Sequence, residues 1–524
     1  MGTDLIIHGA GRTVTGSCYE LVTSAGRLLV DCGLFQGSRT LEERNIGPLP
    51  FDPRAIDAVL LTHAHIDHSG LLPRLAAQGS RGPIFATGPT ADLLEWMLPD
   101  AAKIQEQETE RRNRRADRAG MDRHQPLYTV ADAKAILSHI VPTGAGRTIR
   151  PVEGVEVRFW NAGHILGSVS AEVIADGTRI FFSGDLGPGE KAFHAPPDGP
   201  SGLDHVLCEA TYGDRDRPDR TLLERRGDLE DALLEGLRRG GNIVIPAFAL
   251  ERTQELLLDI AALIEESRLP ASPVYVDSPL ASGITKVFAK HAPRLEDVAG
   301  RDPFAHPAFN FVPDRRSSQR ISRLSGAIII AASGMCEAGR VRAYLVDNLP
   351  RRDSTILFVG YQAAGTLGRA IRDGAKRVRI SGTDVAVRAT VAEIEGYSAH
   401  ADQKELVSWV HKRAPIQGTL FLTHGEPAAL QALRELLQAS VQTIETPAMG
   451  DRWHLPPGHP ATLASPGNLR DGETGEDWQN SYARLAVELK QELLRIEGEA
   501  ARQKAIAELR ETLRRYQEAR VSAA

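Results

Sequence analysis

Leu61-Thr-His-Ala-His-Ile-Asp-His-Ser-Gly70 closes the apolar run that begins at Ala58, and it packs His63, His65, Asp67 and His68 into six residues. In an extended chain, residues two apart project to the same side, so His63 and His65 converge on one point. If the chain then turns into a helix at DHSGLLPRL, Asp67 and His68 face a neighbouring point. A lone histidine at a strand end ordinarily does no more than bond the backbone. Three histidines and an aspartate at this spacing form a ligand set. Neutral imidazole with carboxylate suits zinc or a similar first-row ion at roughly 2.0–2.2 Å per bond.

Outward from this stretch, residues 1–207 alternate short apolar runs with glycine-rich turns: DLIIHG, YELVTS, RLLVDCG, PIFATG, VEVRFWNAGH and TRIFFSGD. Each ends in Gly, His, Asp or Ser, as expected of strands whose ends carry a site, and their density predicts two packed sheets. GPTADLLEWMLPDAAKIQEQETERRNRR predicts a long flanking helix. From Leu222 the pattern changes to helix (LLERRGDLEDALLEGLRR), strand (NIVIPAF), helix (ERTQELLLDIAALIEE) and strand (PVYVDSP), continuing through GAIIIAASG, TILFVGY and RVRIS. That alternation predicts a parallel α/β domain. ATVAEIEGYSAH and GTLFLTHGE then resume the first style, so the second domain is expected to be inserted into the first. The stretch from Trp478 onward is helix-forming with mixed charge, a docking or oligomerisation arm.

Bulk properties bound the reading without deciding it. A chain of 524 residues predicts two domains and an appendage. The net charge of −6 is not that of a wholesale nucleic-acid binder, although a local basic groove can exist within an acidic average. Cys18, Cys32, Cys208 and Cys336 lie far apart without a CxxC pair and read as core thiols of a reducing compartment. With no leader and no membrane-length apolar run, a cytoplasmic protein is expected.

HAHIDH resembles the HxHxDH signature of the metallo-β-lactamase superfamily, and further motifs follow in order. Asp31 in LLVDCG matches the first motif, His164 in NAGHILGS the third and Asp185 in FFSGDLG the fourth. CEATYGDR (Glu209), EIEGYSAHAD (His400) and FLTHGEP (His424) resemble the three extra motifs of the β-CASP nucleases, the group of pre-mRNA cleavage endonucleases and their prokaryotic relatives. The resemblance covers residues 1–460. It implies an α/β protein, a metallo-β-lactamase αββα sandwich with an inserted β-CASP parallel α/β domain. The parts expected are a first metallo-β-lactamase segment at 1–207, the insert at 208–388, the second metallo-β-lactamase segment at 389–460 and a helical extension at 461–524.

By this resemblance one ion is held by His63, His65 and His164 and the other by Asp67, His68 and His424, with Asp185 shared. The pair is expected to be Zn²⁺, and such a site also accepts Mn²⁺. Asp31 would orient a ligand histidine. His400 would protonate the departing oxyanion with Glu209 orienting it, so Asp67, Asp185, Glu209 and His400 are the expected catalytic residues. A bland reading makes Glu209–His400 only a link between domains. The implied activity is endonucleolytic hydrolysis of single-stranded RNA, with no membrane partner.

SGMCEAGR (Ser333, Gly334, Arg340) and GYQAAGTLGR (Gly365, Arg369) each follow an apolar strand and expose small residues, amides and an arginine, which makes them candidate phosphate anchors. RRNRRADR (Arg111–Arg118) reads as a solvated helix face. Three rivals remain. A thioester or lactam hydrolase on this fold typically lacks the insert and His400. DNA-processing family members tend to carry valine where this chain has His424. A non-catalytic RNA scaffold would be expected to have lost ligands, and none is missing here.

Overall fold

The computed structural model describes residues 2–467 apart from 120, 219, 299–301 and 364, together with isolated positions between 489 and 498 and the helix Glu499–Val521. Most of the helix-forming stretch that begins at Trp478 lies outside the described residues until that last helix.

Two mixed sheets face one another. The first has eight strands in the order Thr462–Ser465, Arg452–Leu455, Thr3–Ile7, Tyr19–Val22, Arg27–Val30, Ala58–Leu60, Ile84–Thr87 and Ile140–Thr143. The second has seven, in the order Ile444–Glu445, Ile416–Thr423, Leu203–Glu209, Thr178–Phe182, Val169–Ala175, Glu156–Asn161 and Thr148–Ile149. Period-two alternation puts Leu5, Leu21, Leu28 and Leu60 of one sheet against Val157, Phe159, Phe182 and Phe421 of the other in a shared buried cluster. Each such side chain contributes about 1.5–3 kcal/mol by leaving water. Helices cover the outer faces, among them Gly88–Ala119 on one side and Gln403–His411 and Pro427–Leu437 on the other.

Between the strands Leu203–Glu209 and Ile416–Thr423, which pair in parallel register, the chain leaves the sandwich. It builds a six-stranded sheet in the order Phe309–Phe311, Val274–Asp277, Ile328–Ala331, Ile243–Pro246, Thr355–Phe358 and Thr390–Glu393, every pair parallel. The helix Leu222–Arg238 opens this region with a reciprocal cap in which the Thr221 hydroxyl accepts from the Glu224 amide and the Glu224 carboxylate accepts from the Thr221 amide.

Two expectations change here. RVRIS does not join the parallel sheet: Arg377–Ile380 pairs antiparallel with Thr383–Ala386 in a separate ribbon, because the two-residue Ser381-Gly382 turn, both residues at positive φ, folds it straight back. Thr390–Glu393 does not return to the sandwich either. It closes the six-stranded sheet beside Thr355–Phe358, so His400 arrives from the edge of the insert.

The two bodies are joined by a continuous apolar cluster running from Leu29, Val59 and Leu94 to Leu256, Ile284 and Phe288. At the junction the helix Pro279–His291 lies so close to Gly88–Ala119 that a Cβ on Gly283 would sit 2.2 Å from the Trp96 ring. His291 and Lys290 flank Asp92 there, each at 2.7 Å.

Candidate metal centre

Asp31 ends the strand Arg27–Val30 at φ 62°, a conformation aspartate tolerates better than most residues. Its fully buried carboxylate accepts from the Thr62 amide (2.8 Å), from the Thr62 hydroxyl (2.9 Å) and from His68 Nδ1 (2.7 Å). Because the Thr62 hydroxyl gives its proton to Asp31, it accepts from His63 Nδ1, 3.0 Å away. One carboxylate therefore fixes two imidazoles with Nδ1 protonated and leaves both Nε2 lone pairs aimed into the site.

The Nε2 atoms of His63 and His164 lie 3.1 and 3.2 Å from His65 Nδ1, and His68 Nε2 lies 3.2 Å from His424 Nε2. His65 precedes the short helix Ile66–Ser69, which turns Asp67 and His68 away from the strand direction. His164 is set by its own proton, which Nδ1 donates to the Ala399 carbonyl at 2.8 Å, one residue before His400. His424 follows the strand Ile416–Thr423 at φ 49°, with Nδ1 3.1 Å from the Thr211 hydroxyl.

Asp185 stands between the two groups. Its Oδ2 is 3.6 Å from both His63 Nε2 and His164 Nε2, and its Oδ1 is 3.2 Å from His68 Nε2 and 3.6 Å from His424 Nδ1. The ligand atoms of His63, His65, His164 and Asp185 lie within 4.8 Å of one another, and so do those of Asp67, His68 and His424. His63, His68, His164, Asp185 and His424 are each no more than 3% exposed.

This arrangement fits metal ions. Ring nitrogens facing each other at just over 3 Å have about the spacing of two ligands around one ion at roughly 2.1 Å. Asp185 Oδ1 is buried without a hydrogen-bond partner, since His68 Nε2 approaches it at a poor angle. An unsatisfied buried carboxylate oxygen is costly unless a cation meets it.

Protonation preferences divide the site. Burial and the neighbouring imidazoles hold His63 and His164 well below the ordinary histidine range, and burial brings His65 down to about 4. Burial also opposes charge on His68 and His424, yet Asp185 with Asp31 raises His68 well above that range and Asp185 with Asp67 raises His424. Burial works against ionisation of Asp185, but His424, His68 and His63 keep it well below the usual carboxylate range.

Beside Asp185, Glu209 ends the strand Leu203–Glu209 almost fully buried, with Oε1 accepting from the Leu186 amide (2.7 Å) and Oε2 from the Thr211 amide (3.1 Å). The same Oε1 is 3.3 Å from His400 Nδ1, and His400 Nδ1 is 4.0 Å from Asp185 Oδ2. Two residues beyond His400, Asp402 and Glu405 form a reciprocal cap for the helix Gln403–His411 and so anchor the segment.

The two glycine loops are fastened to each other. Gln362 Nε2 donates to the Gly334 carbonyl (3.0 Å), and the Gly368 amide donates to the Met335 carbonyl (3.1 Å). The Ser333 hydroxyl bonds Ala338 within its own loop, and Gly365 is exposed. Arg340 is paired with the fully buried Asp277, and Arg369 with Asp373 at 2.7 Å. Arg111–Arg118 lies on the helix Gly88–Ala119, where Arg114 pairs with Glu110 on an exposed face. All four cysteines are buried and unpaired.

Several contributors escaped the sequence reading. Thr62 and Thr211 neighbour motif residues, so their hydroxyls could have been suspected. The cluster behind His164 carried no local signal. There Glu251, in the insert, accepts from the Leu166 amide (3.1 Å) and meets Lys191 Nζ (3.0 Å) and His194 Nε2 (2.5 Å), while Lys191 donates to the His164 carbonyl.

A two-sheet sandwich whose strand ends gather five imidazoles and two carboxylates defines a metallo-hydrolase of the metallo-β-lactamase class. The chain matches the models of the Metallo-beta-lactamase superfamily at residues 11–221, the Beta-Casp domain at 253–371 and the Zn-dependent metallo-hydrolase RNA specificity domain at 384–447. It is 36% identical over 458 residues to Ribonuclease TTHA0252 of Thermus thermophilus, across 85% of this chain and 99% of that protein. It is 30% identical to both the Transcription termination factor FttA of Methanosarcina mazei (84% of this chain, 69% of that one) and an RNase J-like protein of Methanocaldococcus jannaschii (80% and 92%). A crystal structure of a protein of unknown function from Enterococcus faecalis shares the fold, with a TM-score of 0.52 at 14% identity, over 86% of this chain and 99% of that one. The chain belongs to the β-CASP family of the metallo-β-lactamase superfamily.

Proposed function

We propose that this chain is a metal-dependent endoribonuclease that hydrolyses phosphodiester bonds of single-stranded RNA with two zinc ions. The observation that carries the reading is the pair of ligand groups sharing Asp185, with the Glu209–His400 couple against it. Five imidazoles and two carboxylates suit zinc, and the chain's kinship with a ribonuclease supports RNA as the substrate. His63, His65 and His164 would hold one ion and Asp67, His68 and His424 the other. When bound, such a pair lowers the pKa of water and offsets the charge gathering on the attacked phosphate.

Asp31 and Thr62 keep the Nε2 lone pairs of His68 and His63 directed inward. Glu209, fixed by two amides, occupies His400 Nδ1 and leaves Nε2 to donate a proton to the leaving ribose oxygen as its bond to phosphorus breaks. Ser333, Gly334 and Gly365 would line the phosphate track, with Arg340 and Arg369 beside it, their charges already met by Asp277 and Asp373. A duplex carries its phosphates on a wide cylinder, whereas His63, His68, His164, Asp185 and His424 are almost wholly buried, which supports a single strand.

The test incubates purified protein with labelled single-stranded RNA and matching DNA, with Zn²⁺, Mn²⁺ or chelator. RNA cleavage that chelator stops and that the His65→Ala/Asp67→Ala variant lacks is expected. Equal cleavage of DNA, or metal-loaded protein that cuts neither, would overturn the reading.

A further inference from the structure

The chain that delivers Glu209 does not leave the site at once. Its next residues, Thr211 to Arg217, fold over the His400 segment and are tied to it. The Gln403 amide donates to the Arg215 carbonyl (2.9 Å), Gln403 Nε2 donates to the Gly213 carbonyl (2.6 Å), and the Arg217 amide donates to Asp402 (3.1 Å). Arg217 also donates to the His400 carbonyl. The result sets the Tyr212 ring edge-on to His400, 5.8 Å between centroids. Outside it, the Arg215 guanidinium lies 5.7 Å from the Tyr212 ring and 5.5 Å from the ring of Tyr361, which comes from the insert's glycine loop. Ring, guanidinium and ring thus run outward from the proton donor to the surface, where Tyr361 is 44% exposed.

A cation–π clasp between the two bodies would use the same contacts. It would add little where the buried Glu251, Lys191 and His194 cluster and a continuous apolar cluster already join them. It would also leave unexplained why a ring as large as Tyr361 is left 44% exposed beside the arginine. Flat rings beside an arginine are the combination that proteins use to hold unpaired nucleotides, the ring stacking a base and the cation meeting a phosphate. Arg215 is available for that role, since its carboxylate partner is its own neighbour Asp214, at 3.3 Å on a half-exposed side chain.

Building on the ribonuclease reading, we propose that Tyr361 and Arg215 form a subsite for one nucleotide, its base stacked on Tyr361 and its phosphate met by Arg215. The ladder starts at His400, the donor to the leaving oxygen, so the nucleotide held is the one that departs with that oxygen.

The cleavage position of the wild-type protein is first mapped in a short RNA. Two further RNAs are then made, lacking the base on the departing side or on the opposite side of that bond. Tyr361→Ala is expected to raise KM about ten-fold on the intact RNA, within the range of one base–aromatic stack. Tyr361→Phe, which keeps the ring, should restore the affinity. Removing the departing-side base should raise the wild-type KM by the same factor and leave Tyr361→Ala unchanged, while removing the opposite base should preserve the difference between the two proteins. The subsite is overturned if Tyr361→Ala binds intact RNA as the wild type does, or loses the same factor on the departing-side abasic RNA. If the wild type cuts no RNA, the nuclease reading fails instead. Anisotropy with the same three oligonucleotides then decides the stack, and equal binding of all three by both proteins rules it out.

Discussion

The ligand-bearing strand ends of the sandwich and the glycine loops of the inserted sheet are built on one plan, a strand that spills into small and polar residues. They differ in what their charged groups do at rest. In the sandwich, Asp185 keeps a buried oxygen without a hydrogen-bond partner, and imidazole nitrogens of different histidines face each other at just over 3 Å. In the insert, Arg340 and Arg369 are already neutralised by Asp277 and Asp373. The difference teaches that an unmet carboxylate oxygen buried among imidazoles marks where a cation belongs, whereas the Arg340–Asp277 and Arg369–Asp373 pairs belong to the scaffold.

The sharpest test of the chemical side is His400→Ala, expected to lower kcat by about 10²–10⁴-fold with the metal content unchanged, as loss of a positioned proton donor does. Single-turnover cleavage together with metal analysis would read it, and loss of metal alongside activity would return His400 to a structural part. Asp31→Asn should weaken metal affinity by roughly 10–100-fold, since it disturbs the orientation of His68 directly and of His63 through Thr62. Titration against a competing chelator measures it.

Acidification should strip the site of metal, because a protonated imidazole no longer offers its lone pair to an ion. Metal content followed against pH measures it, and content that holds steady as the imidazoles protonate would break the contrast. The smallest effects on cleavage are expected at the paired arginines. Arg340→Ala should leave kcat within a few-fold while costing about 3 kcal/mol of stability, because Asp277 would stay buried with its charge unopposed. Arg369→Ala should change stability by less than about 1 kcal/mol, as expected of a surface pair. A large rise in KM at Arg340→Ala would place it on the RNA track after all.

How much of this was legible follows from the same contrast. His63, His65, Asp67 and His68 could be read because metal coordination demands particular atoms at a spacing that the strand supplies, and nothing else in a chain asks for that pattern. The alternation of strands and helices from Leu222 exposed the parallel sheet for a similar reason, periodicity being imposed by burial. The edge strand Thr390–Glu393 was misplaced because a strand of four residues suits either sheet, and only long-range register decides between them. Nor could sequence tell that Arg340 meets Asp277, 63 residues away, or that Glu251 would reach behind His164. Such pairings belong to the fold and leave no local trace.

The bond from His164 to the Ala399 carbonyl carries a consequence of its own. The acceptor rides on the segment that leaves the inserted sheet, so a swing of that body away from the sandwich would free the imidazole to rotate out of place. Loading with metal and closure of the two bodies are then reciprocally linked: stripped protein should breathe at this seam, and a strand of RNA wedged there should loosen the cation it needs.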